Sequence, residues 1–221
     1  HDALPILPTE WTKRLIDLNV EKLTDEDLAW ADCAFISAMV VQRKSAQQTI
    51  ARCKEAGLKV VAGGPLFTSE YERFDDVDHF VLNEAEITLP LFLEDLQHGT
   101  CKRIYSTDQF ADMHQSPIPL WELADLKRYA EMGIQFSRGC PFDCDFCNVT
   151  TLFGRIPRTK SARQIIDELD ALADTKWRGQ VFFVDDNLIG NKRVLKQELL
   201  PALIQWQKKG YRMTFHTEVS I

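Results

Sequence analysis

Residues Ile134 to Val149 read IQFSRGCPFDCDFCNV, with Cys140, Cys144 and Cys147 in a Cys-x-x-x-Cys-x-x-Cys run directly after an apolar, strand-like stretch. Thiols this close in sequence point to one shared metal centre, and thiolate is the soft ligand that selects iron–sulfur clusters or zinc. A tetrahedral zinc site or a fully ligated cubane wants a fourth protein ligand, and none follows within the loop. The economical reading is a [4Fe-4S] cluster held at three irons. Its fourth iron stays open for a small molecule, by the logic that leaves a catalytic zinc one open position. A zinc knuckle completed by a distant Cys or His is the alternative.

Around this run, 221 residues with 45% hydrophobic content leave room for one large or two small domains with a real core. The net charge of −7, from 33 acidic and 26 basic residues without a dense Lys/Arg block, disfavours a nucleic-acid partner and suits a small-molecule or lipid-like substrate. No long apolar run or signal-peptide pattern is present, so no transmembrane segment and a cytoplasmic location are expected. Three of the six cysteines lie in the motif, and Cys33, Cys53 and Cys101 are scattered, as in a reducing compartment. The chain starts without Met and stops at Ile221 inside a strand-like stretch, so a piece of a longer protein is expected.

Upstream of the cysteines, Lys13 to Val20 alternates like a strand, and Thr24 followed by Asp25, Glu26 and Asp27 predicts a capped helix start. Cys33 to Val41 is a continuous apolar run expected as a strand covered on both faces. Ala46, Ile50 and Cys53 mark the inner side of a helix closed by Gly57. Strands are then expected at Lys59 to Ala62 and His79 to Leu82, and a helix at Thr88 to Gln97 with Pro90 near its start and Gly99 past its end. This alternation predicts a doubly wound parallel α/β sheet, which binds ligands beyond the carboxyl ends of its strands. Ser37-Ala38-Met39 and Gly63-Gly64-Pro65 fall at such ends.

Residues 101–132, with Ser116-Pro117-Ile118-Pro119, are expected to connect a domain at 1–100 to one at 133–221, with a short helix at Leu123 to Tyr129. In the second domain the βα rhythm restarts at the strand Ile134 to Ser137. The basic turn Gly154 to Lys160 either neutralises a bound anion or is solvated. Ser161 and Gln164 form a capping box before a helix whose Ile165, Ile166, Leu169 and Leu172 face inward. Gln180 to Val184 is the next strand, and Asp185-Asp186-Asn187 ends it at the rim that carries the cysteines. Val194 to Lys209 is expected as a helix bent or restarted at Pro201, and Arg212 to Ile221 as a third strand with Glu218 near its end. His216 is expected as a packed strand residue.

FSRGCPFDCDFC, with the aromatic Phe146 before the last cysteine, resembles the radical S-adenosylmethionine (radical SAM) superfamily. Together with GGP upstream, VFFVDDNLIGNKR and TEVS, the chain is similar to the cobalamin-binding radical SAM class, within it to the group of hopanoid methylases and the oxidative cyclase of bacteriochlorophyll synthesis. The resemblance implies a partial cobalamin-binding-like sheet domain followed by the first half of a (β/α)6 radical SAM barrel. It implies Cys140, Cys144 and Cys147 as cluster ligands, and SAM beside Phe146 with Asp185, Asp186, Asn187 and Glu218 toward it. Ser37, Gly63, Gly64 and Pro65 would face cobalamin. The implied chemistry is reductive cleavage of SAM to a 5'-deoxyadenosyl radical, hydrogen abstraction from an unactivated carbon and methylation from cobalamin, with electrons from a donor such as flavodoxin or ferredoxin. The protein's part is to position these groups and keep water and oxygen out. No side chain is singled out as catalytic.

Departures from the family pattern are Asn148, where Asp is commoner, Asn83-Glu84-Ala85-Glu86 in place of Gly-Glu-Gly-Glu, and a missing Asp-x-His-x-x-Gly fingerprint. Asp112-Met113-His114 imitates only its first half, which bears on axial ligation of cobalt. Two other readings stay open: a methylthiotransferase acting on tRNA, with a second cluster on the upstream cysteines, and a zinc-stabilised interaction module without enzymatic activity.

Overall fold

The computed structural model describes residues 3–142, 144–145 and 147–219. The described chain forms two compact units, 16–111 and 112–219, and residues 3–15 group with the second. By contacts the division falls at 111/112, whereas the sequence reading placed a connection at 101–132.

The first unit begins with helix α1, Asp25–Trp30, where the Thr24 hydroxyl accepts from the Asp27 amide and the Asp27 carboxylate accepts from Thr24, a reciprocal cap. Its sheet is fully parallel in the order β1 (Cys33–Ser37), β2 (Lys59–Gly63), β3 (His79–Val81), β4 (Ile104–Tyr105). Helix α2, Arg43–Glu55, buries Ala46, Ile50 and Cys53, the positions its spacing predicts. Helix α3, Pro65–Glu70, starts directly on the glycine pair, and α4, Ala85–His98, ends on left-handed Gly99.

Several expectations are corrected. Lys13 to Val20 holds no strand. β1 stops at Ser37, is an edge strand and is only partly covered, so its apolar run does not mark a doubly buried strand. Pro90 lies inside α4, which begins at Ala85. β4 falls in the stretch read as a connection, and Leu123 to Tyr129 is not one helix but lies across the 3-10 turns Trp121–Leu123 and Leu126–Arg128. Asn83 adopts φ 63°, the left-handed region that glycine fills at least cost and asparagine tolerates. That conformation accounts for the Gly-to-Asn departure. Asn83 is held by the Thr68 hydroxyl, which accepts from its amide at 2.9 Å.

The second unit contains a parallel sheet in the order β5 (Glu131–Ile134), β8 (Gln180–Phe183), β9 (Thr214–Thr217). Met132, Ile134, Val181 and Phe183 point to a core shared with α6 (Ala162–Asp174) and α8 (Leu200–Lys208), through Ile165, Leu169, Leu172, Leu203 and Trp206. Alternation puts Glu131, Gly133, Phe182 and His216 on the opposite, more open face. There the His216 ring stacks on Phe182 at 5.0 Å between centroids, and its Nε2 lies 3.0 Å from a Glu131 carboxylate oxygen. His216 is thus a strand residue packed on a neighbouring ring, on the open face of the sheet and not in its core. The helical run before α8 starts with α7, Lys192–Val194, and passes through a π turn, Leu195–Leu199. Pro201 sits at the start of α8, where a missing N–H costs least.

Candidate functional site

Past Ile134 the chain does not continue as one strand to Ser137, as expected. It makes a second short strand, β6 (Ser137–Arg138), paired antiparallel with β7 (Arg158–Thr159) in the register Ser137↔Thr159 and Arg138↔Arg158. The Lys160 amide extends this ribbon by donating to the Phe136 carbonyl at 2.8 Å. All three motif cysteines lie in the excursion that the ribbon closes, on the carboxyl side of β5. Within it the Cys140 amide donates to the Gly154 carbonyl at 3.2 Å and the Cys147 amide to the Cys144 carbonyl at 3.0 Å. Helix α5, Val149–Phe153, follows from Asn148. Gly139 has φ +93°, and a Cβ there would lie 2.9–3.0 Å from the carbonyl oxygens of Phe153, Gly154 and Ile156. Only glycine lets the strand exit approach the returning backbone so closely.

All three thiols are free; Cys140 is half-buried, and Cys144 and Cys147 are exposed. Among the described residues no three His, Cys, Asp or Glu side chains are gathered closely enough to hold a metal ion. The donor set itself, three soft thiols in one ribbon-closed loop, fits an iron–sulfur centre by its chemistry. Phe146 lies outside the described residues.

The Asp-Asp-Asn run leaves β8 at the same rim. Asp185 is buried; one carboxylate oxygen accepts from the Ser137 amide and, at 2.5 Å, from the Ser137 hydroxyl, and the other accepts from the Phe136 amide at 3.1 Å. Burial pushes its carboxyl up, while the Ser137 side chain and the two amides pull against that shift. Exposed Asp186 accepts from the Gly139 amide at 3.1 Å, and Asn187 is buried. Glu218 is exposed directly after β9, whose Thr217 is in register with Phe183.

The basic turn splits into two behaviours. Arg158 donates to the Phe153 carbonyl at 3.1 Å, whereas Lys160 is buried and paired with equally buried Glu168 on α6. Lys160 is thus neither solvated nor offered to a bound anion. Sequence reading missed this pair; a capping-box helix carrying a glutamate one turn before Leu172 on its inner face was the available signal.

In the first unit, Ser37 and Gly63 are paired neighbours at the carboxyl ends of β1 and β2. A Cβ on Gly63 would lie 2.6 Å from the Val81 carbonyl oxygen. Gly64 has φ +85°, and its Cβ would lie 2.6 Å from the Ser37 hydroxyl. Pro65 opens α3, and the Leu66 amide donates to the Ala38 carbonyl at 3.0 Å. The structure brings Ser37, Gly63, Gly64 and Pro65 together, and the protein's own packing already demands both glycines. Beside them Met39 and Val41 are exposed, Val41 almost fully at 93%.

The remaining motif candidates are occupied locally. Asp112 accepts from the His114 amide at 3.0 Å and lies 2.9 Å from its ring nitrogen. Cys53 is buried on α2, and burial pushes the Cys33 thiol up to about 11, which makes a poor source of thiolate.

Residues 134–219 match the family model described as the radical SAM superfamily. The chain is 44% identical over 98% of its length to an uncharacterized methyltransferase of Synechocystis sp., and 36% identical over 97% to the hopanoid C-2 methylase of Rhodopseudomonas palustris. It spans 41% and 42% of those two proteins. Among solved structures, the radical SAM methyltransferase TsrM from Kitasatospora setae superposes with a TM-score of 0.66 at 14% identity, covering 84% of this chain and 42% of that one. The cobalamin-dependent radical SAM enzyme OxsB gives 0.61 at 18% identity, covering 82% of this chain and 30% of that one. These structural likenesses carry the α/β fold with its parallel sheets. The matched segment, residues 134–219, contains the cysteine loop at the sheet's carboxyl rim, and it is this segment that is similar to the radical SAM superfamily.

Proposed function

We propose that the chain is the cobalamin-type sheet and first barrel half of a radical SAM methyltransferase acting on an unactivated carbon of a small or lipid-like substrate. The observation that carries this reading is the ribbon-closed loop bearing Cys140, Cys144 and Cys147 at the carboxyl rim of a parallel sheet. Agreement over nearly the whole chain with a methyltransferase and a hopanoid methylase supports the reaction class. The fold shared with TsrM and OxsB supports a cobalamin partner for the first sheet.

In this reading the three cysteines hold a [4Fe-4S] cluster, which when bound supplies the electron that cleaves SAM into methionine and a 5'-deoxyadenosyl radical. The residues divide the remaining work. Gly139 lets the strand exit turn into the loop, and the β6–β7 ribbon fixes where the loop leaves and returns. Asp186, Asn187 and Glu218 lie at the carboxyl ends of β8 and β9, where a carboxylate or amide oxygen can accept from the SAM amino group. Ser37 and the Gly63-Gly64-Pro65 turn offer a close backbone approach to the cobalamin tail. Half-buried Cys33 and buried Cys53, scattered in the first unit, do not favour a second cluster.

Anaerobic purification of the intact natural protein with cobalamin tests the reading. Iron and acid-labile sulfide at about one cubane per chain, with 5'-deoxyadenosine and a methylated product by mass analysis, is the expected result. Zinc without iron or sulfide would overturn it in favour of an interaction module, and about two clusters would favour thio-transfer.

A further inference from the structure

The geometry points to Asp185 as a positioning residue that clamps the entry of the cysteine loop, not as an acceptor for SAM. This inference rests on the cluster reading above but addresses a different residue and a different task.

Asp185 leaves β8 beside the exit of β5, and its carboxylate turns to that exit. Both oxygens are engaged: one by the amide and hydroxyl of Ser137, the other by the Phe136 amide. The side chain is buried at 6% exposure, which leaves little surface for a ligand amine. Phe136 itself is fully buried, and its carbonyl takes the Lys160 amide, so the gripped segment is also the base of the β6–β7 ribbon. Three residues separate Phe136 from Cys140. The next side chain, Asp186, accepts from the Gly139 amide, immediately before that cysteine. Successive residues past the end of one strand therefore hold the Phe136, Ser137 and Gly139 amides past the end of its neighbour. Without these acceptors the Phe136 and Ser137 amides would point into a site shielded from water. A carboxylate suits this task because it offers only acceptor positions, whereas an amide in its place must turn a donor toward one of three donors.

The test compares wild type, Asp185→Asn and Ser137→Ala in the intact natural protein. It measures amide hydrogen exchange of the metal-free form, iron bound after anaerobic reconstitution, and SAM binding per cluster. A clamp predicts exchange at least tenfold faster in the peptide spanning 134–140 of Asp185→Asn, with peptides of the first sheet and of α8 unchanged. Iron per chain falls at least twofold, and molecules that do load a cluster bind SAM as wild type does. Ser137→Ala moves the same peptide in the same direction by less, and it guards against a folding failure of the aspartate variant. Unchanged exchange at 134–140, or exchange raised throughout the unit, would overturn the clamp. Normal iron with weakened SAM binding would also overturn it and return Asp185 to the role of SAM acceptor. If wild type binds no iron, the cluster reading fails, while the exchange comparison still decides whether Asp185 holds this segment.

Discussion

The two sheets end in different ways. At the carboxyl rim of the first, neutral groups meet at close range: the Gly63 backbone against the Val81 carbonyl, and Gly64 against the Ser37 hydroxyl. At the rim of the second, carboxylates of the central strand hold the amides of its neighbour, and a buried lysine–glutamate pair stands behind the ribbon. The first rim offers shape and apolar surface, including Met39 and Val41. The second offers a stiff base from which three thiols project. A rim of close backbone packing suits a large, nearly neutral ring system. A charged brace suits a loop whose ligands must meet at one point. Among the ion pairs, Arg43–Glu70 and Lys54–Asp78 of the first unit lie nearer the surface, and Lys160–Glu168 of the second is enclosed.

Breaking the enclosed pair has the largest expected effect. Lys160→Met removes the buried ammonium beside Glu168, and losing one partner of such a pair costs about 3–5 kcal/mol. The double variant Lys160→Met, Glu168→Leu removes both charges and recovers most of that loss. Urea titration of the two variants measures the difference. Equal losses in both would mean that the brace acts through shape and not through charge.

The glycines of the two rims sharpen the contrast. Gly139→Ala forces a side chain into a positive-φ conformation and against three carbonyls, so about 1–3 kcal/mol should be lost, with iron retention falling alongside. Gly63→Ala presses on the Val81 carbonyl and should cost a similar amount, about 1–3 kcal/mol, while leaving iron content unchanged. A fall in iron with Gly63→Ala would remove the functional separation of the rims.

Acid sensitivity separates them further. Asp78 accepts from Lys54 at 2.7 Å, from the Val60 amide at 2.8 Å and from Lys59 at 3.3 Å. Burial alone would raise its pKa, but these donors prevail and bring it from 3.8 to about 2. A carboxyl whose folded pKa is lowered contributes stability above its unfolded pKa, and that stability is lost as pH falls through the window from 3.8 toward 2. Asp78→Asn should therefore lower stability at neutral pH by about 1–2 kcal/mol and flatten the acid limb in that window. A wild-type slope kept intact in the variant would assign the acid sensitivity to other groups.

How far the sequence carried depends on where each signal is encoded. Three cysteines at fixed spacing announce a soft metal centre because few other uses concentrate thiols so closely, and the capping boxes at Thr24 and Ser161 announce helix starts through local geometry. The β6–β7 ribbon was not legible, since two-residue strands carry no periodicity and their pairing spans the whole loop. Nor was β4, which is equally short and sits in a mixed polar segment. The Asp-Asp-Asn run was legible as a polar rim but not in its division of labour. In the fold, Asp185 turns inward to Ser137 while Asp186 stays exposed. The face that His216 occupies was not legible for a physical reason: in a strand a buried and an exposed face differ by one residue, and the alternation Thr214, Phe215, His216, Thr217 has a single large apolar member to set the phase.

That face yields the smallest expected effect. Glu131 and His216 are each 44% exposed, so water screens the pair, and exposed pairs contribute about 0–1 kcal/mol. The stack of His216 on Phe182 does not need the carboxylate, because both rings belong to paired strands in the register Phe182↔His216. Glu131→Gln should therefore shift the urea midpoint by no more than about 0.5 kcal/mol in stability and leave iron binding unchanged. Glu131 lies at the opening of β5 and the cysteines lie beyond its other end, so the strand separates the two. A loss above about 1.5 kcal/mol would show that the pair ties β5 to β9 across the intervening strand. The stiffness of the second unit would then come from its open face as well as from the clamp at its rim.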